Sequence, residues 1–506
     1  MAKTVVTNPI FWSDVPDVDV IRVDSVYYMV STSMHTFPGC PIMKSENLLD
    51  WETIGYVFDH LEDNSAHNLL DGKGIYGQGQ WATSLRLHND TFYLCFSSND
   101  MNQFYIYQTK DIEGGKWKRS TIDGIYHDPA LLFDENRVFV IYGCGDIHIT
   151  ELNDDLTAVK SGGVNQRLLE TPKEGIGLRC EGCHAYKING YYYLLFIEWP
   201  TTEKQRRRQV GYRSKELLGE YERKIIFDDD MGYHNKGIAQ GAIFDTLDHE
   251  WYAMLFQDHD AVGRIPYVLP VKWENGWPMI GIDGKAPNEF EVNLPSSTHQ
   301  PLVTSDEFDY KEDKLSLNWQ WNHNPDNELW SLVKRPGYLR LQTGNFTDTI
   351  LQARNTLTQR TEGPSCTGIT LVDISNMQQG DHAGLVALQN TFGTVGIQVA
   401  ENGENYVIMT VNNGTGGEEI VEKQIIQGNL IYLKIHFNFE DSIDEAEFYY
   451  SMNGENWTQI GNILKMKYTL DHFMGYRIGL FNYATKKIGG YVDFDFFHYQ
   501  KNNKRI

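Results

Sequence analysis

Basic residues are in short supply. The 506-residue chain carries 44 lysines and arginines against 68 aspartates and glutamates, a formal charge of −24 at pH 7. Nucleic acids and anionic membrane surfaces attract basic patches, so no nucleic acid and no membrane is expected as a partner. A soluble acidic surface accounts for the charge, and so does a neutral substrate. Cysteine is scarce as well. The six are Cys40, Cys95, Cys144, Cys180, Cys183 and Cys366, mostly in apolar or glycine contexts, which suits reduced, buried thiols better than a disulfide framework. No apolar run approaches the ~20 residues of a membrane-spanning helix. The opening MAKTVVTNPIFW lacks the apolar centre of a signal peptide, so a cytoplasmic location is expected.

Aromatic residues are plentiful at 13%, and they recur in order. VYYMVSTS (26–33), TFYLCFSS (91–98), RVFVIYG (137–143), YYYLLFIE (191–198) and EWYAMLFQD (250–258) each follow an apolar alternation and a polar turn. Each unit reads as strand, tight turn, strand. The register is shared. Asp17, Trp81, Asp128, Glu181 and Gln240 open the five units, and the residues eleven further on, Tyr28, Phe92, Phe139, Tyr192 and Trp251, are all aromatic. Antiparallel units spaced by roughly 45–65 residues imply a β-propeller of five blades. Equivalent positions at the heads of the inner strands then converge at one mouth of the channel.

Character changes near 291–308, which carries prolines, serines and acids without periodicity and reads as a linker. From 309 onward short alternating runs such as YLRLQT, CTGITLVDI, NYVIMTV and LIYLKIHFNF, separated by turns such as NNGTGG, imply an all-β sandwich. The expected division is therefore a propeller over 1–290 and a sandwich over 309–506, in an all-β chain with little helix.

Three carboxylates at equivalent blade positions, with an aromatic beside them, have the makings of glycoside hydrolysis. That reaction needs one protonated carboxyl for the leaving oxygen and one ionised carboxyl for water. Glu181, within RCEGCHAYKING, has apolar neighbours that would raise its pKa, making it the candidate acid. Asp17 in PDVDV is the candidate base, with Asp19 two residues along on the same strand face as a structural or supporting group. Asp128 in YHDPALLF would stand between them. Singly, each has an ordinary explanation: an aspartate before proline is most often a turn residue, and a tryptophan such as Trp81 is usually core. The Cys180-x-x-Cys183 pair has no partner motif for zinc, and a strand rather than a helix follows it, against a redox pair. The arginine run 206–208 reads as a solvated turn.

NPIFWSDVPDVDVIRVDSVYYMVSTS, GQWATSLRLHNDTFYLCFSS, HDPALLF, EGCHAYKINGYYYLLF and FQDHDAVGRIPYVLPVKWENGWP resemble family 43 glycoside hydrolases. LSLNWQWNHNPDNELWSL, RPGYLRLQT and LQARNTLTQRTEGPSCTG are similar to the concanavalin-like β-sandwich appended to that family's β-xylosidases. The resemblance spans nearly the whole chain. It implies an inverting propeller enzyme with Asp17 as general base, Asp128 as pKa modulator and Glu181 as general acid. Trp81 corresponds to a wall aromatic and Arg264 to an arginine at the deepest sugar subsite. Met34 stands where relatives often carry a sugar-packing aromatic, and it is a candidate substrate-binding residue together with the neighbouring His35 and with Gln240; Phe37 lies close by. Gln240 stands where many relatives carry a histidine beside a central metal ion. No cofactor is required by the chemistry; a bound calcium ion is left open and is not predicted. The implied activity is exo-acting release of xylose from β-1,4-xylo-oligosaccharides. An α-L-arabinofuranosidase, a bifunctional enzyme of both kinds, and a non-catalytic sugar-binding propeller are the alternatives. The expected partners are xylo-oligosaccharides or arabinosylated oligosaccharides; homo-oligomers occur among relatives.

Overall fold

Aromatic and β-branched alternation sets the local structure, and the computed structural model, which describes residues 3–412, 414 and 417–502, is built almost entirely of strands. Among the described residues the only helical elements are the single 3-10 turns Asp260–Val262, Ile350–Gln352 and Glu440–Ser442. Residues 413, 415 and 416 of the NNGTGG turn and residues 503–506 lie outside the described residues.

Five four-stranded antiparallel sheets form the blades, and their first strands are Asp19–Val23, Ser84–His88, Ala130–Asp134, Ile176–Ile188 and Ala239–Asp245. These strands neighbour one another in sequence order, and the fifth returns to the first, closing a ring. Tight turns make the hairpins. Asn89 and Asp90, or Asn189 and Gly190, take left-handed φ of 47° to 78°, as two-residue turns that match strand twist require. The aromatic offset has a structural basis. Tyr28, Phe92, Phe139, Tyr192 and Trp251 all sit early in the second strand, opposite Ile21, Leu87, Leu132, Lys187 and Asp245. Thr4–Thr7 pairs with Glu289–Val292, joining the two ends of the first half.

The second half is a sandwich of two eight-stranded antiparallel sheets around a core that includes Trp319, Leu385, Ile435 and Phe494. The segment read as a linker is anchored at both ends. Glu289–Val292 belongs to the strand just described, while Asp306 bridges Phe497 and Phe308 is fully buried in the sandwich core. The halves are also stitched together. Thr36–Phe37, from the first blade, is the edge strand of a sandwich sheet, with Phe37 opposite Trp321 and Thr36 opposite Asn322. Phe37 is therefore a docking residue. His35 beside it is fully buried among Tyr76, His323 and His472, with ring centroids 4.7–5.1 Å away. This corrects its reading as a sugar-binding residue, because His35 lies in the domain junction rather than on the pocket wall. Burial holds its imidazole well below the usual range, so it is neutral there.

Candidate active site

One cavity of about 280 Å³ opens at the head of the inner strands, lined among others by Asp17, Met34, Trp81, Asp128, Glu181, Gln240 and Arg264. The residues at the blade heads reach it because the chain leaves regular strand geometry there. Asp17, Asp128 and Gln240 have left-handed φ of 53°, 45° and 62°, and Gly182, after Glu181, has 67°. Gln240 is the extra residue of a bulge between Ala239 and Gly241, and pairing shifts on both sides of Glu181. Bulges re-aim side chains. Here they turn residues that would otherwise lie along the blade into a common mouth.

Asp17 is the most heavily partnered carboxylate. Arg264 donates from Nη1 to both its oxygens at 3.0 and 3.1 Å, Gln240 Nε2 donates at 3.0 Å, and Thr32 Oγ1 at 2.7 Å. Three donors on a side chain only 7% exposed fix its orientation. Asp19 does not share this face. Because Asp17 is left-handed, the two-residue alternation fails, and Asp19 turns into the central channel. There it takes hydrogen bonds from Arg86 Nη1 at 2.7 Å and Leu85 N at 2.8 Å. Arg86 in turn lies 5.2 Å over the Tyr186 ring. Asp19 is thus a buried structural anion, and its expected place beside Asp17 is corrected.

Asp128 accepts from Gly182 N at 2.9 Å, which ties the third blade head to the fourth. Burial and the neighbouring carboxylates Glu181 and Asp17 push its carboxyl up, against the pull of His127. Glu181 behaves otherwise than its apolar sequence neighbours suggest. Burial pushes its carboxyl up, but His127 Nε2, 3.1 Å from Oε2, outweighs that and leaves it below the usual range. His127 was not legible as a site residue. Strand alternation puts residues 127 and 128 on opposite faces, and the left-handed Asp128 is what brings both into the pocket.

Three further lining residues arrive from unexpected places. Phe473, Tyr468 and Leu470 belong to the sandwich. Phe473 packs 5.7 Å from Trp81 and lies under the Arg264 guanidinium at 4.8 Å, while Leu470, 76% exposed, forms the rim. Asp14 clamps this loop by accepting from Arg264 N at 2.7 Å and Gly475 N at 2.9 Å. The arginine run 206–208 is not a solvated turn. Arg206 pairs with Asp228 and Asp230, Arg208 with Glu198, and Arg207, on the pocket wall, with Asp258. Cys180 and Cys183 are buried free thiols, with Cys180 Sγ directed at Glu198.

Calcium takes roughly six to eight oxygen ligands. Among the described residues the one group of His, Cys, Asp or Glu side chains that brings three ligand atoms within 4.8 Å of one another is His127, Asp128 and Glu181. Gln240 directs its amide N–H to Asp17, and the channel holds the cationic Arg86.

Against this geometry, the comparisons with known proteins are consistent. The description "Glycosyl hydrolases family 43" matches residues 6–278, and "Beta xylosidase C-terminal Concanavalin A-like domain" matches residues 305–500. A solved bifunctional GH43-CE protein of Bacteroides eggerthii is similar at 44% identity and a TM-score of 0.93 over 99% of this chain, which spans 64% of that protein's length. A β-xylosidase of Formosa agariphila is 28% identical over 97% of this chain and 90% of its own. A non-reducing end α-L-arabinofuranosidase of Bacteroides ovatus is 27% identical over 76% and 74%. With a five-bladed propeller, a concanavalin-like sandwich and a family match over more than half its length, the chain belongs to glycoside hydrolase family 43.

Proposed function

We propose that the protein is an exo-acting β-xylosidase that removes xylose from the non-reducing ends of β-1,4-xylo-oligosaccharides with inversion. The observation that carries this is a carboxylate-lined pocket walled on one side by the sandwich loop of Tyr468, Leu470 and Phe473. A volume of about 280 Å³ lies just below the ~300–1,000 Å³ usual for ligand pockets, which suits a chain end rather than its middle.

In this reading Asp17 is the general base. Its donors Arg264, Gln240 and Thr32 hold it aimed, and it takes a proton from water as the water oxygen bonds to the anomeric carbon. Glu181 protonates the glycosidic oxygen as the bond from carbon breaks and its electron pair leaves with that oxygen. The two carboxyls should stand ~6.5–9.5 Å apart to admit the water. Asp128 keeps negative charge beside Glu181 and orients it through Gly182 N. Trp81, Met34 and Phe473 supply apolar surface for the sugar faces, and Arg264 is placed to donate to a ring hydroxyl as well as to Asp17. Phe473→Ala is expected to raise KM about tenfold or more with a smaller change in kcat, since one lost aromatic contact is worth ~1.5 kcal/mol. An unchanged KM in steady-state assays would remove the sandwich from substrate binding.

A second reading, α-L-arabinofuranosidase or both activities together, is favoured by the Bacteroides ovatus relative's name. Hydrolysis of p-nitrophenyl β-D-xylopyranoside and p-nitrophenyl α-L-arabinofuranoside, measured side by side, tests the choice. A clear xyloside preference is expected. An arabinoside preference would keep the mechanism and change the substrate, and turnover of neither would favour a sugar-binding module.

A further inference from the structure

The mechanism above gives no part to His127, although it lines the pocket beside the acid. His127 lies on the loop before the third blade's first strand. Its Nε2 is 3.1 Å from Glu181 Oε2 and 3.6 Å from Asp128 Oδ2, and its ring is 30% exposed to the pocket. The Trp81 ring stands edge-on at 6.1 Å and limits its swing. We propose that His127 and Glu181 hold the catalytic proton jointly, so that the general acid is the pair and His127 is the positioning residue that keeps the proton within reach of the leaving oxygen. The proposal rests on the glycosidase reading of the site.

The reasoning starts from the charges around the ring. Facing His127 are Asp128 from its own loop, Glu181 from the fourth blade and Asp17 from the first. Arg207 from the fourth blade acts on Glu181, and the Cys144 thiol of the third blade also lies beside that carboxyl. The three carboxylates outnumber the guanidiniums of Arg207 and of Arg264, which pairs with Asp17, and they favour a protonated imidazole. The Asp128 charge, with smaller help from Glu181 and Asp17, raises His127 to about 9. A carboxyl next to such a group does not titrate alone; the two release protons in steps that belong to the pair.

In the empty pocket the proton rests on His127, and Glu181 is ionised, as its lowered pKa indicates. When the glycosidic oxygen of a sugar enters beside Glu181, the proton passes from His127 Nε2 to Glu181 and on to that oxygen as the bond to carbon breaks. Water supplies the other half. Its oxygen bonds to the anomeric carbon and its proton goes to Asp17, so the sum is the addition of one water. Afterwards Asp17 releases a proton to solvent, and His127, the somewhat more exposed of the two, takes one up and re-arms the pair.

The sign of the pH effect follows. The acid must carry its proton, so activity falls as pH rises past the loss of that proton. With His127 present, loss is deferred to the imidazole's raised range. Without it, the proton is held by a carboxyl alone and leaves at lower pH. The test is the pH dependence of kcat/KM on xylobiose for wild type, His127→Phe and His127→Gln. Both variants are expected to move the alkaline limb to lower pH by about one unit or more. If both variants lower activity uniformly with the limb unmoved, His127 is structural and the proposal fails. A second measurement does not need turnover. The His127 ring is titrated by NMR in wild type and in Glu181→Gln. A drop in the variant, to a value still raised by Asp128, is expected, and identical titrations would overturn the pairing. Absence of xylobiose hydrolysis by the wild type would instead count against the glycosidase reading itself.

Discussion

Asp17→Asn is expected to slow hydrolysis of xylobiose and of p-nitrophenyl β-D-xylopyranoside by the same factor, about 10²–10⁴ in kcat. The reason is that the base acts on water, and water attack is common to both substrates whatever leaves. The neutral amide cannot accept the proton. It also meets three donors, Arg264, Gln240 and Thr32, that are arranged around two carboxylate oxygens; one of its own atoms becomes a donor, so at least one of these contacts turns unfavourable. Arg264 then keeps a buried charge without its counter-ion, at a cost of ~3 kcal/mol or more in stability. Thermal unfolding of the variant should accordingly show a lowered Tm alongside the rate loss. Unequal losses on the two substrates, greater for xylobiose, would move the base assignment away from Asp17.

Glu181→Gln is expected to behave differently, and the contrast separates acid from base. The leaving group of xylobiose is a xylose hydroxyl, whose oxygen needs a proton, so kcat on xylobiose should fall by about 10²–10⁴. p-Nitrophenol is a far stronger acid and departs with little help, so its loss should be about tenfold or less. The amide keeps the size of the carboxyl and leaves Gly182 N on Asp128 in place, so the fold should be preserved. Equal losses on both substrates would show that Glu181 does not protonate the leaving group. Steady-state kinetics on the two substrates, at one pH below the alkaline limb, are enough to decide.

The fold was legible because its signals are local and repeated. Aromatic strands, polar turns and a common offset from blade head to Tyr28, Phe92, Phe139, Tyr192 and Trp251 lie within single hairpins, where sequence distance and spatial distance agree. The same repeat brought Asp17, Trp81, Asp128, Glu181 and Gln240 to one cavity. Where alternation was trusted through a left-handed residue it misled: Asp19 was placed with Asp17, and His127 was passed over beside Asp128. His35 was judged by proximity in sequence to Met34, yet the chain turns between them and Met34 faces the cavity while His35 is buried in the junction. Phe473 and Tyr468 could not be found from the repeat at all, because they come from the other fold and lie far along the chain from the last blade's final strand, Trp277–Ile280. The arginine run misled through composition. Three adjacent cations look solvated until each is seen to have its own acidic partner.

The short strand Thr36–Phe37 has a consequence for how the molecule comes apart. It leaves the first blade to complete a sandwich sheet, and the loop carrying Phe473 returns the exchange by reaching the propeller mouth. Each half therefore finishes a surface of the other. Cutting the chain between them would bare the edge of Gln320–Asn322, an unpaired strand of the kind that templates aggregation, and would strip the pocket of a wall in the same stroke. Catalytic competence and cooperative melting are thus bound to the same seam, and a library of chimaeras that exchanged one half without its mate would lose both together.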